Sequence, residues 1–315
     1  MNTGVMLSVC VVTYNHYKYI EQALDSILAQ KTNFSVEVIV ADDASPDGTA
    51  ELVEKKYGHR VRLIKREKNV GLSRNLYECM TAAGGKYVYT HAGDDWLKNN
   101  DMFQRHVDFL EAHSEYSAVS HWTDIVNEEG NVEGVIKNTN LTYGLDDFLM
   151  GKHLDCQDSV IRNYWKNDNN NDFLWKCGRN NEENAFRLYF LEKGMQYNVQ
   201  ESLACYRYIC RENADNYNST HSLLDVFKDN YHSILYLETI RGNKYDLRFM
   251  KFRLIYEFFG AAIKRDKSIK KLCQIYNLLT KEDKKLLKRN VGILLWYKGK
   301  LPEDYMKRII YKSGE

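Results

Sequence analysis

Two pairs of adjacent acidic residues carry the strongest chemical signal in the sequence, because each pair follows an apolar run. The first pair is Asp42 and Asp43, and the second is Asp94 and Asp95. Adjacent carboxylates at a strand end suit a hard cation such as Mg²⁺ or Mn²⁺, whereas they would repel a phosphate that bound directly. Two alternatives stay open: the acids hydrogen-bond a base and a ribose, or they only cap turns and helices.

Apolar periodicity predicts the elements that position these acids. Short β-branched runs predict strands at Leu7–Thr13, Val36–Ala41, Val61–Ile64, Tyr87–His91 and Ser117–Trp122. Helical spacing of apolar residues predicts helices at Tyr17–Gln30, from the Asp47-Gly48 turn to Tyr57, and at Leu72–Ala83, Asn100–His113 and Glu182–Gly194. This alternation of strands and helices predicts an α/β fold with a parallel sheet and right-handed crossovers.

Three polar loops follow predicted strands, and they should meet at one edge of a parallel sheet. They are Tyr14–His16, Asp42–Thr49 and Ala92–Trp96. Ligands of open α/β sheets bind outside the carboxyl ends of the strands, at a point where polar loops converge. We therefore expect a ligand site at this edge.

Composition excludes several classes of protein. The chain has 315 residues, of which 44% are apolar and only 2 are proline, so it is neither disordered nor collagen-like. No apolar run approaches the roughly 20 residues of a transmembrane helix, and the first residues lack the basic region of a signal peptide. The 7 cysteines include no CxxC pair, which favours reduced thiols in a cytosolic protein over disulfides or zinc fingers.

Charge is unevenly distributed along the chain. Residues 241–315 contain 20 Lys and Arg against 8 Asp and Glu, whereas residues 1–240 contain 24 against 35. A basic tail on an acidic body suggests contact with an anionic partner, either a membrane surface or, less favoured, nucleic acid. A solvated helical face and a helical subdomain that forms a homodimer are the alternatives.

Four motifs resemble the nucleotide-sugar-binding half of family 2 glycosyltransferases of the GT-A fold. They are Leu7–Asn15 (LSVCVVTYN), Val38–Thr49 (VIVADDASPDGT), Gly71–Asn75 (GLSRN) and Gly93–Trp96 (GDDW). The resemblance covers roughly the first 125 residues and implies a mixed, mostly parallel sheet flanked by helices. It implies a glycosyltransferase domain at 1–220, with a donor half at 1–125 and an acceptor half at 126–220. A basic helical appendage would occupy 221–315.

The resemblance also assigns roles to residues of the donor site. The nucleotide base would contact Val12, Thr13 and Tyr14, the uracil and ribose would contact Asp42 and Asp43, and Arg74 and Arg207 would lie at the donor edge and over the diphosphate. The metal-binding Asp-x-Asp motif of the family aligns with Ala92-Gly93-Asp94. Its first acid is therefore replaced by Ala92, Asp94 is the expected metal ligand, and Asp95 would lie near the donor sugar.

A second resemblance concerns the predicted helix at Glu182–Gly194. Glu183 takes the position of the catalytic Asp of the family, and Glu182 precedes it. An inverting transfer needs a base that removes the proton of the acceptor hydroxyl, and a helix N-terminus keeps such a carboxylate ionised. The alternative is an ordinary first-turn acid that only stabilises the helix.

Two hypotheses follow from different classes of function. The first is an inverting glycosyltransferase that uses a nucleotide sugar, with UDP the expected nucleotide, and Mn²⁺ or Mg²⁺. Its acceptor would be a saccharide or lipid-linked saccharide of a cell-surface polysaccharide, and its basic tail would hold it at the cytoplasmic face of the membrane. The second is a GT-A-like module that has lost catalysis and binds nucleotide, glycan or RNA.

Overall fold

A computed structural model of the chain describes residues 4–152, 159–168, 173–177, 183–209, 222–242, 244–263, 269–297 and 301–311. The strands are β1 Leu7–Thr13, β2 Val36–Asp42, β3 Arg62–Lys65, β4 Tyr87–Ala92, β5 Trp96–Leu97, β6 Tyr116–Val126, β7 Val132–Ile136, β8 Thr142–Tyr143, β9 Ser159–Arg162 and β10 Met195–Arg207. The helices of the first part are α1 Ile20–Leu28, α2 Thr49–Tyr57, α3 Leu72–Thr81, α4 Met102–Ala112, α5 Leu145–Leu149, α6 Phe173–Lys176 and α7 Glu183–Leu191. The remaining helices are α8 Leu223–Arg241, α9 Arg248–Ala261, α10 Ile269–Leu278, α11 Lys281–Tyr297 and α12 Glu303–Tyr311.

A single mixed sheet organises the first part of the chain. Its order is β3-β2-β1-β4-β9-β6-β10-β5, with β7 beside β6 and β8 beside β10. Strands β3, β2, β1 and β4 are mutually parallel, and β6 is parallel to β10. Helices α1, α3 and α4 pack against it, so the predicted α/β sheet flanked by helices is confirmed. Strand β9 runs antiparallel to both β4 and β6, a reversal that strand–helix alternation did not predict.

Apolar side chains cover the central strands of this sheet. All seven residues of β1 are buried, as expected of a parallel strand that is covered on both faces. Helix α1 buries Ile20, Ala23, Leu24 and Ile27 at a helical spacing, so one apolar stripe faces the sheet while its polar face meets water. Cys10, Cys79, Cys205 and Cys273 are free thiols.

The chain folds into two compact units. The first comprises Met1–Leu145 and Leu154–Ser219, and the second comprises Asp146–His153 and Thr220–Glu315. The short segment that contains most of α5 therefore packs with the C-terminal helices, a long-range contact that the sequence did not indicate. The donor and acceptor halves that were assigned within residues 1–220 stay predictions.

The second unit is helical and has its own core. Phe227, Tyr231, Phe249 and Tyr256 are among its most buried side chains. Lys251 is also buried, and its Nζ lies 2.7 Å from Glu238 Oε2, which supplies the partner that a buried charge requires. Within the described residues, none of the helices combines the length and apolar character needed to cross a bilayer.

Candidate functional site

The three polar loops lie together at the carboxyl edge of the parallel strands, as the sequence predicts. Strand β1 ends between β2 and β4, with Thr13 opposite Asp42 and Val12 opposite Ala92. The N–H of Asp43 donates to the Thr13 carbonyl at 3.0 Å, and the N–H of Gly93 donates to the Val12 carbonyl at 2.9 Å. Both acid pairs therefore begin next to the same strand end.

The first loop is fastened to the second by side-chain oxygens. The N–H of Asn15, whose φ is +60°, donates to Ser45 Oγ at 3.1 Å. The N–H of Tyr17 donates to Asp47 Oδ2 at 3.0 Å, and Thr49 donates to Asp47 Oδ1 through its N–H and its hydroxyl. Partial burial alone would raise the pKa of Asp47, but the hydrogen bonds from Thr49 and Tyr17 outweigh it and lower the pKa.

The carboxylates of Asp42 and Asp43 are buried and hold neighbouring loops in place. Asp42 accepts hydrogen bonds from the N–H and hydroxyl of Ser45 at 2.9 and 2.6 Å. Asp43 accepts from the N–H groups of Val70 and Gly71 at 2.7 and 2.9 Å. Because Gly71 has a φ of +90°, a conformation that favours glycine, this loop needs the acid and the glycine together. The contacts of both acids with uracil and ribose stay predictions.

The end of β1 presents one exposed ring above buried side chains. Val12 and Thr13 are 8% and 2% exposed, whereas Tyr14 is 36% exposed. The hydroxyl of Thr13 is buried without a hydrogen-bond partner among the described residues. A planar base could stack on Tyr14, because aromatic rings present a large apolar face to water. The structure thus leaves Tyr14 as the accessible member of the predicted base site.

Gly93 allows the third loop to pass close to the first. A Cβ atom on residue 93 would lie 2.9 Å from both His16 Nδ1 and Thr13 Oγ1, which is too close for a carbon atom. Beside it, Asp94 Oδ2 lies 3.7 Å from His16 Nε2, and each side chain is 20% exposed. Asp94 is therefore accessible at this edge, as a metal ligand would need to be.

Asp95 is buried and links the turn to β10. Its Oδ1 accepts the backbone N–H of Arg207 at 2.7 Å, and the guanidinium Nε of Arg207 donates to the Asp94 carbonyl at 3.1 Å. The guanidinium lies 4.4 Å from the Tyr19 ring centre and 4.8 Å from that of Trp96. It also donates to the Gln22 side chain and to the carbonyls of Asn127 and Glu128.

Arg207 thus braces the acidic turn in this structure. Its side chain is buried, and its donors are directed at protein oxygens and aromatic faces, a favourable environment for a buried guanidinium. The prediction that Arg207 closes over a diphosphate, and the prediction that Asp95 contacts the donor sugar, stay predictions.

Two arginines lie near α3, and only Arg74 was predicted from the sequence. Arg74 is half exposed, pairs with Glu78 at 2.7 Å and has its guanidinium 5.2 Å from the Trp175 ring. Arg66 follows β3, and its N–H donates to the Asp42 carbonyl at 2.9 Å. Its Nη1 pairs with Glu78 at 2.6 Å, whereas its Nη2 is buried without a hydrogen-bond partner among the described residues. A basic residue directly after a strand of this edge was the signal that could have identified Arg66.

Glu183 begins α7, which ends at Leu191 and lies within the predicted helix Glu182–Gly194. Its side chain is 59% exposed and pairs with Arg187, one turn further on, at 3.1 Å. Helix α7 packs against β6 and β10. Glu182 lies outside the described residues. The role of the two acids as the catalytic base stays a prediction.

The described residues contain no group of three or more His, Cys, Asp or Glu side chains that could hold a metal ion. A cation at Asp94 would therefore need ligands from a bound substrate as well. Such an arrangement is common for Mg²⁺, which is often held by one or two carboxylates together with substrate phosphates.

Comparison of the sequence with known families gives one clear match. The family model described as "Glycosyl transferase family 2" matches residues 8–171, which is more than half of the 315 residues. An uncharacterized protein of Mycobacterium tuberculosis, Rv1520, is 35% identical over 127 residues, which are 39% of this chain and 37% of that protein. The chain thus spans well under two thirds of that relative's length. The putative teichuronic acid biosynthesis glycosyltransferase TuaG of Bacillus subtilis is 26% identical over 213 residues, 66% of this chain and 81% of that protein.

Solved structures with the same fold include two sugar-nucleotide complexes. TarS of S. aureus, residues 1–349 in complex with UDP-GlcNAc, superposes with a TM-score of 0.61 at 18% identity, covering 99% of this chain and 93% of that one. A mannosyltransferase of Pyrobaculum calidifontis in complex with GDP-Man and Mn²⁺ superposes with a TM-score of 0.52 at 16% identity, covering 98% and 86%. At these identities the likeness shows the fold.

Proposed function

Because the chain belongs to glycosyl transferase family 2, we propose that it transfers a sugar from a nucleotide sugar to a hydroxyl group of an acceptor saccharide. One observation carries the proposal: the loops of Asp43 and Asp94 are both hydrogen-bonded to the end of β1. The accessible Asp94 therefore lies at the strand edge where open α/β sheets bind ligands.

UDP is the nucleotide that we propose for the donor. Tyr14 offers an exposed ring for the base, and the neighbouring Thr13 hydroxyl lacks a partner among the described residues. Asp42 and Asp43 would then act mainly through the loops that they hold, with any contact to base or ribose made through those loops. The UDP-GlcNAc complex of the similar TarS fold supports this choice of nucleotide.

We propose that a divalent cation, Mn²⁺ or Mg²⁺, assists the transfer. The residues present fit a cation because the carboxylate of Asp94 is partly exposed and its Oδ2 lies 3.7 Å from a ring nitrogen of His16. When bound, the cation offsets the negative charge that grows on the departing diphosphate. Asp94 would hold it, and the Arg207 guanidinium keeps the Asp94 backbone in position through the carbonyl contact.

Glu183 is the proposed base, with Glu182 beside it in sequence. It lies in the first turn of α7, where the helix dipole interacts favourably with a negative charge. Its partner Arg187 is only 12% exposed, whereas Glu183 itself is 59% exposed, so its carboxylate can be reached by an acceptor hydroxyl. Proton removal on the side opposite the leaving group would make the transfer inverting.

The acceptor that we propose belongs to a cell-surface polysaccharide, free or lipid-linked, in keeping with the similarity to TuaG, a putative glycosyltransferase of teichuronic acid biosynthesis. The second unit offers a surface for an anionic membrane. Exposed basic residues on α10 and α11 are Lys270, Lys281, Lys285, Lys288 and Arg289. A cavity of about 440 Å³ beside them is lined by Phe259, Leu272, Cys273, Tyr276, Asn277, Leu287 and Lys288.

This cavity suits one chain of an anionic lipid. Its walls are mostly apolar, and the Nζ atoms of Lys284 and Lys288 lie 5.5 and 5.9 Å from the centre of the Tyr276 ring. An acyl chain of the lipid could enter the cavity while the phosphate of the same lipid pairs with the two ammonium groups. Each lysine contributes about 1 kcal/mol to the binding free energy at an anionic membrane surface.

Vesicle binding tests this membrane contact on the full chain. Lys284→Glu with Lys288→Glu should weaken binding to phosphatidylglycerol vesicles by about tenfold or more. Lys31→Glu with Lys55→Glu is the matched control, since it changes the charge equally at exposed positions of the first unit. Equal losses in both double variants would indicate a diffuse charge effect, and no loss in either would remove the membrane contact.

A binding module without catalysis is the second candidate function, and Ala92 favours it because the first acid of the metal motif is missing. A donor screen separates the two candidates. UDP-, GDP- and dTDP-sugars are incubated with and without Mn²⁺ and with saccharide acceptors, and products are followed by anomeric proton NMR. An enzyme gives a product that Asp94→Asn abolishes and that Asp108→Asn, on an exposed face of α4, leaves unchanged. Nucleotide-sugar binding without hydrolysis or transfer for any donor would establish the binding module.

A further inference from the structure

We infer that His16 binds the same divalent cation as Asp94, through its Nε2 atom. The inference rests on the proposed function, because it assigns a second protein ligand to the cation of that site. His16 belongs to the loop after β1 and comes 78 positions before Asp94 in the sequence, so only the fold brings the two side chains together.

The distance between the two side chains favours a shared ion over a direct hydrogen bond. His16 Nε2 and Asp94 Oδ2 are 3.7 Å apart, beyond the 2.7–3.2 Å of a nitrogen–oxygen hydrogen bond. Two atoms that each bond one ion at about 2.1 Å lie roughly 3.0 Å apart at a right angle and roughly 3.6 Å apart at 120°. A side-chain adjustment of a few tenths of an ångström therefore lets both atoms bind one ion.

The other ring nitrogen lies near a hydroxyl group that could fix the tautomer. His16 Nδ1 is buried without a hydrogen-bond partner among the described residues, and the Thr13 hydroxyl, 2% exposed, also has none. Both atoms face the space next to Gly93, each 2.9 Å from the position of a Cβ there. A histidine that binds a metal commonly donates its second N–H to an oxygen. The two atoms are not hydrogen-bonded to each other in this structure, but a rotation of the imidazole toward the Thr13 hydroxyl would join them and leave the Nε2 lone pair facing Asp94.

The backbone holds His16 at this place. Its carbonyl accepts the N–H groups of Tyr19 and Ile20, both at 2.9 Å, so the backbone of His16 is bonded to the start of α1. The preceding Asn15 is held by Ser45 of the second loop. The imidazole therefore projects from a fixed point, as a preorganised ligand should.

A neutral imidazole suits a site that must also accept a diphosphate. It adds a ligand without adding negative charge, whereas another carboxylate would repel the phosphates. It also affects the choice of metal: Mg²⁺ prefers oxygen ligands, and imidazole binds transition metals more readily. The inference therefore predicts that His16 raises the affinity for Mn²⁺ more than the affinity for Mg²⁺.

Electron paramagnetic resonance of the full chain with Mn²⁺ and UDP tests the inference without any turnover. Spectra are recorded at pH 8, where an ordinary imidazole is neutral. The expected result is a nitrogen modulation of the bound Mn²⁺ signal that disappears in His16→Gln.

Titration should show Mn²⁺ affinity in the presence of UDP falling about tenfold or more in His16→Gln, with Mg²⁺ affinity changing less than about threefold. His59→Gln, at an exposed histidine, is the control and should match the wild type.

Two outcomes would overturn the inference, and they differ in what they leave standing. If Mn²⁺ and UDP bind together but the nitrogen modulation is absent or persists in His16→Gln, then His16 is not a ligand and the proposed function is unaffected. If the wild-type chain binds no Mn²⁺ in the presence of UDP, the metal site of the proposed function fails as well. Circular dichroism and thermal unfolding of His16→Gln confirm that the variant is folded.

Discussion

Arg207 and Asp95 join β10 to the turn that carries Asp94. The backbone N–H of Arg207 donates to Asp95 Oδ1 at 2.7 Å, and its guanidinium returns to the Asp94 carbonyl at 3.1 Å. The accessible acid of the site is thus held by a residue 113 positions further along the chain. Local geometry at the sheet edge therefore depends on a buried arginine that lies between two aromatic rings.

Replacement of this arginine should destabilise the fold. Arg207→Met removes hydrogen bonds to several buried oxygens and a cation between Tyr19 and Trp96, and we expect a loss of about 2–4 kcal/mol in the free energy of unfolding. Urea unfolding measures it. Arg74→Met, at a half-exposed arginine, should change the free energy by less than about 1 kcal/mol. Equal effects of the two variants would show that Arg207 does not brace the turn.

A methyl group at position 93 should disturb the contact between the loops that form the site and should lower the stability of the protein. In Gly93→Ala the new Cβ would lie 2.9 Å from His16 Nδ1 and Thr13 Oγ1, so either the loops separate or the side chains rotate. We expect a loss of about 1–3 kcal/mol in stability, together with weaker donor binding. Gly134→Ala is the control, because its Cβ would meet nothing closer than 3.6 Å. A Gly93→Ala variant as stable and as tightly binding as wild type would contradict the close approach.

Asp47 should make the free energy of unfolding depend on pH under acidic conditions. Hydrogen bonds lower its pKa in the folded protein, so the unfolded chain takes up a proton more readily, at about pH 3.9. The contribution of Asp47 to the free energy of unfolding is therefore fully present above the pKa that it has in the unfolded chain. It is lost as the pH falls through the lower pKa that it has in the folded protein. In a pH series of urea unfolding, the stability difference between wild type and Asp47→Asn should shrink as the pH falls below about 4.

This difference should be small, at most about 1 kcal/mol, because Asp47 is exposed and its hydrogen bonds compete with water. Asp108→Asn removes the same charge from an exposed face of α4 and controls for net charge. A difference between wild type and Asp47→Asn that is constant from pH 7 to pH 2 would show that the lowered pKa does not contribute to folding.

Glu183 should affect the rate of transfer and leave donor binding intact. General-base catalysis is worth about 10²–10⁴-fold in rate, so Glu183→Gln should lower kcat by that range with an unchanged Kd for the nucleotide sugar. Glu133→Gln, on an exposed position of β7, should leave both constants unchanged. Loss of donor affinity in Glu183→Gln, or a kcat within threefold of wild type, would move the base to another residue.

The central strands could be predicted because their signals are local. The apolar run at Leu7–Thr13 coincides with β1, and β2 extends the predicted Val36–Ala41 by one residue, Asp42. Strands buried on both faces read as continuous apolar runs. The loops after them were also predictable, because turn-forming and acidic residues follow each run directly.

Strands whose conformation depends on pairing with neighbouring strands were not predicted from the sequence. Strand β9 has only four residues, Ser159–Arg162, and it exists because β4 and β6 flank it. Strand β10, Met195–Arg207, contains irregular pairing with β6 and mixes buried with exposed positions. Such strands carry little periodicity of their own, since tertiary contacts decide their conformation.

The residue types of the site could be predicted from the sequence, but the contacts between those residues could not. The sequence indicated acids at the sheet edge, but the acceptance of two N–H groups by Asp43 depends on the fold of the segment at Val70 and Gly71. The approach of His16 to Asp94 likewise depends on Gly93. These pairs join distant segments, and no pattern within a single segment indicates them.

Calorimetric titration of UDP-sugars with Mn²⁺ tests most directly whether Asp94 recruits a cation that holds a diphosphate at this sheet edge. We predict binding by the wild-type chain that requires Mn²⁺ and that Asp94→Asn weakens about tenfold or more, while Asp108→Asn binds as wild type does. Absence of affinity for every sugar nucleotide in the presence and absence of metal, or equal affinity in Asp94→Asn, would contradict the account.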